Sequence, residues 1–173
     1  MKRVILLRHA SANVKDFNQE NDFEKPLDVQ GESDSKRLSK WLKKNLDDLD
    51  TVITSNALRA IQTSEIVFTS LKILIQKNSS FYLCNHEEII YTIRKLDNKI
   101  NCVAIVGHEP SISDTLKALV KYTRPDLEKN LNIPYEPCTM SILYFNIGKW
   151  TELKEKSGTL EGYLTPKILD LNG

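Results

Sequence analysis

The stretch Arg3-Val4-Ile5-Leu6-Leu7-Arg8-His9 joins a short apolar run to two basic side chains. A continuous β-branched and apolar run of this length is typical of a strand that is buried on both faces of a sheet. The run ends abruptly at Arg8 and His9, so these two residues are expected where the strand leaves the sheet. The sequence around this strand therefore predicts a central position for it in the fold.

Apolar runs and helical segments alternate along the rest of the chain. The helical segments carry apolar residues three to four positions apart, which is the spacing of one buried helix face. The predicted strands are residues 3–8, 51–54, 80–84 and 101–106, and the predicted helices are residues 33–47, 56–70, 86–97 and 112–122.

This alternation predicts an α/β fold with three layers (α/β/α) around a mostly parallel central sheet. Residues 139–146 and 149–154 are expected to form a hairpin closed around Gly148, which would add an antiparallel edge strand. Three prolines in residues 123–138 indicate an irregular connection. The length of the chain predicts a single domain over residues 1–173.

Composition excludes several classes of function. The formal net charge of +1 gives no support to nucleic-acid binding, which favours a strongly basic face. No apolar run approaches the length that spans a bilayer. Met1-Lys2-Arg3 precedes only four apolar residues, so we expect no signal peptide and a cytoplasmic protein without membrane contact.

The chain has three cysteines, Cys84, Cys102 and Cys138. Their odd number and the absence of a CxxC pair indicate reduced thiols in or near the core. His86 lies near Cys84, but the spacing matches no common zinc pattern, so neither a metal nor another cofactor is predicted.

Polar side chains follow each predicted strand. Ligands of open α/β sheets bind beyond the carboxyl ends of the strands, so these side chains are expected on one rim. They are Arg8 and His9 after the first strand, Ser55 and Arg59 after the second, His86, Glu87 and Glu88 after the third, and His108 and Glu109, which come after Gly107, beyond the fourth.

The residue types on this rim suit phosphoryl transfer. A neutral imidazole nitrogen attacks phosphorus and forms a phosphoramidate that water later cleaves, which divides one hard step into two. Arginine gives two parallel hydrogen bonds to phosphate oxygens and offsets the charge of the transferring group. His9, His108, Arg8 and Arg59 are therefore candidate catalytic residues.

Three motifs carry a family resemblance. Leu6-Leu7-Arg8-His9-Ala10 resembles the "RHG/RHA" signature of the histidine phosphatase superfamily, whose fold is phosphoglycerate mutase-like. Ser55 to Thr63 resembles the "SPxxRAxQT" segment of that superfamily, and Val106-Gly107-His108-Glu109-Pro110 resembles its "VGHNP" segment. The short length and Lys25-Pro26-Leu27 are most similar to the SixA-type phosphohistidine phosphatases. The resemblance extends from residue 3 to about residue 168.

The resemblance implies a role for each matched residue. His9 would be the phosphorylated nucleophile, and Arg8, Arg59 and His108 would complete the phosphate pocket. Larger members place an acid after the third strand, which makes Glu87 and Glu88 candidate general acids. Ser55 and Ser111 are further candidate phosphate or substrate ligands, although Ser111 also has the pattern of a helix N-cap.

Three positions depart from the family pattern. Glu109 stands where asparagine is usual. Its carboxylate would oppose phosphate if it pointed inward, and it would otherwise face outward or keep His108 charged. Lys25 stands where the small members often have arginine, and Asn56 replaces a common proline.

Three functions follow from these observations. The first is a metal-independent phosphatase that works through phosphohistidine at His9 and removes phosphate from phosphohistidine on a partner protein in signal transduction. The second is a phosphomonoesterase or mutase for a small phosphorylated metabolite. The third is a phosphohistidine-binding module without catalysis. A P-loop kinase and a cysteine phosphatase are excluded, because neither GxxxxGK[ST] nor a Cys-x5-Arg loop occurs.

Overall fold

The computed structural model describes residues 1–13, 15 and 21–171, except for the side chains of Asp170 and Leu171. Seven strands in this part of the chain form one sheet, in the order β3-β2-β4-β1-β6-β7-β5. The strands are β1 Lys2–Arg8, β2 Thr51–Ser55, β3 Ile75–Asn78, β4 Cys102–Gly107, β5 Val120–Thr123, β6 Met140–Phe145 and β7 Gly158–Leu164.

The sheet has parallel pairings at both ends and antiparallel pairings on either side of β6. β1, β2, β3 and β4 pair in parallel, while β6 pairs antiparallel with both β1 and β7. β5 pairs in parallel with β7. The predicted α/β class with a mostly parallel sheet and antiparallel pairing is therefore confirmed.

Helices cover both faces of this sheet. Apolar side chains of β1 alternate between the faces, as the period of two in a strand requires. Val4 and Leu6 pack in one core cluster with α3 and α4, whereas Ile5 and Leu7 pack in the other with α1, α2 and α5. The helices are α1 Val29–Asn45, α2 Leu58–Phe68, α3 His86–Arg94, α4 Ser111–Leu119 and α5 Pro166–Leu171.

Two predicted strands are wrong. Residues 80–84 are not a strand, because a 3-10 helix at Ser79–Phe81 buries Phe81 and the backbone of Leu83 adopts a positive φ of 56°. The third strand, β3, comes earlier in the chain. The predicted hairpin partner at residues 149–154 is also not a strand. Trp150–Glu152 is a 3-10 helix, and its buried Trp150 produced the apolar pattern of a strand. The strand that pairs antiparallel with β6 is β7.

The pairing of β1 with β4 places the strand ends side by side. Arg8 lies opposite Gly107 in the parallel register, and the backbone N–H of His9 donates to the carbonyl oxygen of Gly107 at 3.0 Å. The residues that follow the two strands, His9 and His108, are therefore neighbours.

The amino end of α1 packs against the chain just beyond His9. The Asp28 carboxylate caps α1 by accepting from the Gly31 N–H at 2.7 Å, and it also accepts from the Ser11 hydroxyl at 2.6 Å. A Cβ atom on Gly31 would lie 2.0 Å from the carbonyl oxygen of Ser11. Only glycine allows this close approach of helix and loop.

No helix in the described part of the chain is both long enough and apolar enough to cross a bilayer.

Gly31→Ala should therefore destabilise the protein. The added methyl group forces the Ser11 backbone to move, and overpacking of this kind costs about 1–3 kcal/mol. Urea unfolding measures the loss. Gly148→Ala is the matched control, because a Cβ atom there meets only the Glu152 carboxylate at 3.9 Å. Equal free energies of unfolding for the two variants would contradict this account of Gly31.

Candidate active site

Four predicted residues meet at the carboxyl ends of the strands. Arg8 ends β1, His9 follows it, His108 follows β4, and Arg59 lies in the first turn of α2. The rings of His9 and His108 are 5.0 Å apart between centroids. Arg59 donates from Nε to Nε2 of His9 at 3.2 Å.

A cleft of about 320 Å³ opens at this point. It is wide enough for a phosphoryl group and part of the molecule that carries it. The lining residues are Arg8, His9, Ser11, Ala12, Asp22, Lys25, Arg59 and Pro137.

The imidazole of His9 is held in one tautomer. Its Nδ1 lies 2.8 Å from the carbonyl oxygen of Ala10. A carbonyl oxygen only accepts, so Nδ1 carries the proton and Nε2 carries the lone pair. The Nε–H of Arg59 points at that lone pair, which agrees with this assignment.

The surroundings also keep His9 uncharged. Burial is the main cause, and the nearby His108, Arg59 and Arg8 add to it, so that the pKa of His9 is lowered to about 3. At neutral pH the ring is therefore a neutral base with an unprotonated Nε2, which is the form of histidine that acts as a nucleophile.

His108 is fixed by Ser55. Its Nε2 and the Ser55 hydroxyl share a hydrogen bond of 2.8 Å, and both residues are buried. Burial, followed by the charge of Arg59, lowers the pKa of His108 to about 4. Ser55, predicted as a candidate phosphate ligand, is thus placed beneath His108, where its hydroxyl orients the ring.

Two buried nitrogen atoms at the site have no hydrogen-bond partner among the described residues. They are Nε of Arg8 and Nδ1 of His108. The Arg8 guanidinium is otherwise held by the carbonyl oxygen of Tyr135, to which Nη1 donates at 2.7 Å. Buried polar groups are normally paired, so these two nitrogen atoms leave unused hydrogen-bonding capacity at the site. Nε of Arg8 is a donor, whereas Nδ1 of His108 donates only in the tautomer in which Nε2 accepts from Ser55.

Sequence reasoning missed Asp22, which is the acidic residue of the cleft. Its Oδ2 accepts from Arg59 Nη2 and from the Tyr82 hydroxyl, both at 2.9 Å, and its Oδ1 accepts from Lys25 Nζ at 2.8 Å. Burial opposes the charge, but the hydrogen bonds from Lys25, Tyr82 and Arg59 hold the pKa of Asp22 well below its usual range. The only signal in the sequence was an acid three residues before Lys25, a spacing that brings side chains together on one helical turn.

The candidate general acids lie elsewhere on the rim. Glu87 accepts a hydrogen bond from the Asn85 side chain at 2.9 Å, and Glu88 accepts one from the Ser80 hydroxyl at 2.8 Å. Within the described residues, neither carboxylate lines the cleft. They were expected directly after a strand, but β3 ends at Asn78, well before α3 begins.

Ser111 and Glu109 support the backbone next to His108. The N-cap of α4 is Pro110 and not Ser111, which is the first helical residue and donates from its hydroxyl to the carbonyl oxygen of His108 at 2.9 Å. Glu109 Oε1 accepts from the Ser113 N–H at 3.0 Å. Its carboxylate therefore binds the first turn of α4, where negative charge is favourable.

Side chains supply the positive charge of the cleft. Arg8, Arg59 and Lys25 line it. Among the residues that the structure describes, no group of three or more histidine, cysteine, aspartate or glutamate residues is arranged to hold a metal ion. Because Arg8, Arg59 and Lys25 line the cleft, their guanidinium and ammonium groups would face a bound anion.

Comparisons with known proteins agree with the motifs. The sequence profile of the histidine phosphatase superfamily (branch 1) matches residues 4–82. This match agrees with the superfamily that the first two motifs predict, whereas the third motif, at residues 106–110, lies outside the matched residues. The uncharacterised protein MT1313 of Mycobacterium tuberculosis is 25% identical over 162 residues, which cover 93% of this chain and all of that protein.

Solved structures share the fold. A candidate phosphohistidine phosphatase SixA from Agrobacterium tumefaciens has a TM-score of 0.79 at 23% identity, and the alignment covers 95% of this chain and 98% of that one. The protein histidine phosphatase SixA in complex with tungstate has a TM-score of 0.75 at 19% identity, covering 96% and 99% of the two chains. At these identities the likeness establishes the phosphoglycerate mutase-like fold.

The tautomer and charge of His9 are open to a direct test. We expect the C2 proton of His9 to titrate in NMR spectra with a midpoint far below 6.5, the value of an unperturbed histidine. The reason is that burial and the nearby cations disfavour the protonated ring. Arg59→Leu removes one of those cations and should move the midpoint upward. A midpoint at 6 or above in the unaltered protein would contradict a buried neutral His9.

Proposed function

We propose that this chain of the histidine phosphatase superfamily is a phosphatase that accepts a phosphoryl group on Nε2 of His9. One observation carries the proposal. The Ala10 carbonyl fixes the proton on Nδ1 and leaves the Nε2 lone pair at a cleft lined by Arg8 and Arg59.

The two arginines and His108 would bind the phosphoryl oxygens. Arg59 now donates from Nε to His9, so a bound phosphate oxygen would take over this donor and free the lone pair for attack. Catalysis would then rest on positioning and on positive charge around the equatorial oxygens. Attack forms the bond from Nε2 to phosphorus, and water later cleaves it.

Phosphohistidine on a partner protein is the substrate that suits this site best. When a phosphate ester is cleaved, its alcohol leaves as an alkoxide unless an acid donates a proton to the leaving oxygen. The acidic residue in the cleft, Asp22, is held in its charged form and does not supply one. When the second ring nitrogen of phosphohistidine carries a proton, cleavage of the P–N bond releases neutral imidazole, and no acid of the enzyme is needed. The fold shared with the two SixA proteins supports the same substrate class.

A small-metabolite phosphomonoesterase or mutase is the alternative within the superfamily. It would need Glu87 or Glu88 to reach the leaving group, and the hydrogen bonds of both carboxylates are local. Faster turnover of sugar phosphates than of phosphohistidine peptides would favour this alternative. A binding module without catalysis would instead bind the phosphopeptide in a saturable manner and release no phosphate.

The phosphoenzyme gives the decisive test. Protein mixed with a radiolabelled phosphohistidine peptide and quenched in alkaline detergent should carry label, because a phosphoramidate is unstable in acid. His9→Asn should carry none and should lose phosphatase activity by at least about 1,000-fold, since the nucleophile is gone.

His86→Asn is the matched control, because it removes the histidine outside the cleft and should leave labelling intact. Label that persists in His9→Asn, or full activity in that variant, would refute the proposal.

A further inference from the structure

One guanidinium connects the nucleophile to the acidic residue of the cleft. Arg59 donates from Nε to Nε2 of His9, and from Nη1 and Nη2 to the backbone carbonyl and the carboxylate of Asp22, at 2.6 and 2.9 Å. Asp22 therefore lies within one side-chain width of the attacking nitrogen. Because Asp22 also lines the cleft, a group that leaves from phosphorus would be released into space that this carboxylate borders.

The carboxylate of Asp22 can accept a further hydrogen bond. An ionised carboxylate accepts about four hydrogen bonds. Arg59 and Tyr82 take two on Oδ2, and Lys25 takes one on Oδ1. Among the contacts of the described residues, one acceptor position on Oδ1 is not used, and the side chain is 27% exposed at the cleft.

The charges of the cleft fit a single phosphoryl group. Arg8, Arg59 and Lys25 bring three positive charges, and Asp22, which forms ion pairs with both Lys25 and Arg59, offsets one of them. The two positive charges that remain match the two negative charges of one phosphoryl dianion. A second anionic group on the substrate, such as a carboxylate or another phosphate, would meet the like charge of Asp22.

Aromatic side chains next to Asp22 offer a surface for a flat ring. Tyr82 lies edge-on to His108, with ring centroids 5.6 Å apart. Phe23 follows Asp22 directly, lies edge-on to Tyr82 at 5.1 Å, and is 37% exposed. Edge-to-face packing of this kind is favourable for aromatic rings, including imidazole.

From these contacts we infer that Asp22 selects the substrate by accepting a hydrogen bond from the free ring N–H of the leaving imidazole. The inference rests on the proposed phosphohistidine reaction and names the residue that recognises its leaving group. Asp22 would thereby favour phosphohistidine over phosphate esters and over substrates with a second anionic group.

The transfer balances without an external proton. His9 Nε2 forms a bond to phosphorus while the substrate P–N bond breaks, and the electron pair of that bond returns to the leaving nitrogen. The reacting form of the substrate carries a proton on its second ring nitrogen, and this proton stays in place beside Asp22, so the ring leaves as neutral imidazole. The phosphorylated His9 keeps its own Nδ1 proton on the Ala10 carbonyl. Water then attacks phosphorus, His9 leaves as neutral imidazole, and both protons of the water remain on the released dihydrogen phosphate.

Two small substrates isolate the proposed hydrogen bond. Phosphoimidazole carries the free ring N–H, and N-methylphosphoimidazole carries a methyl group in its place while its P–N bond remains as labile. At pH 6, where a ring of ordinary pKa is largely protonated, kcat/KM for the first substrate should exceed that for the second by about 10- to 100-fold, the value of a hydrogen bond to a charged acceptor.

Asp22→Asn should reduce this ratio to a few-fold. The variant has the same shape, so a ratio caused by a clash with the methyl group would persist in it. Comparing two substrates on one variant also cancels any general effect of a misplaced Arg59, because such an effect lowers both rates alike. Asp126→Asn is the matched control, since Asp126 pairs with Arg124 and does not line the cleft, and it should keep the ratio of the unaltered protein.

The outcomes separate the two proposals. A ratio near one in the unaltered protein, or an unchanged ratio in Asp22→Asn, overturns the role of Asp22 even though His9 is labelled. Absence of label on His9 and of phosphoimidazole turnover would instead overturn the proposed function, and this inference with it.

Discussion

The parallel pairing of β1 with β4 is the constraint on which the site depends. It sets Arg8 opposite Gly107 and brings the two histidines that follow these strands to 5.0 Å between ring centroids. Because β1 buries apolar side chains on both faces, a slip of one residue would exchange the two cores, and this fixes the register strongly. Burial of apolar side chains in the two cores therefore also fixes the positions of the residues at the cleft.

The site places neutral imidazoles among fixed cations. Burial disfavours charge on His9 and His108, and the guanidinium groups of Arg8 and Arg59 disfavour it further, so a lone pair is available next to the groups that would bind an anion. Local contacts maintain the arrangement: Ala10 holds His9, Ser55 holds His108, and Asp22 holds Arg59. The residues that orient the cleft are therefore as important as those that line it.

The sequence alone predicted the centre of the fold and the four residues that gather there. Strand ends of a parallel sheet share one edge, so Arg8, His9 and His108 followed from the position of two apolar runs. The strand predictions at residues 80–84 and 149–154 were wrong because each segment contains a buried aromatic residue, Phe81 or Trp150, in a 3-10 helix. Such a segment has the same apolar sequence pattern as a short strand. Asp22 was not predictable, since its role comes from side-chain contacts with residues 37 and 60 positions away.

The proposed reaction requires that Nε2 of His9, and no other atom, take the phosphoryl group. NMR of the phosphorylated protein, labelled with ¹⁵N in its histidine rings, measures coupling between phosphorus and one ring nitrogen. The hydrogen bond from Nδ1 to the Ala10 carbonyl predicts coupling to Nε2 alone, with Nδ1 still protonated. Coupling to Nδ1, or phosphorus on any residue other than His9, would contradict the account.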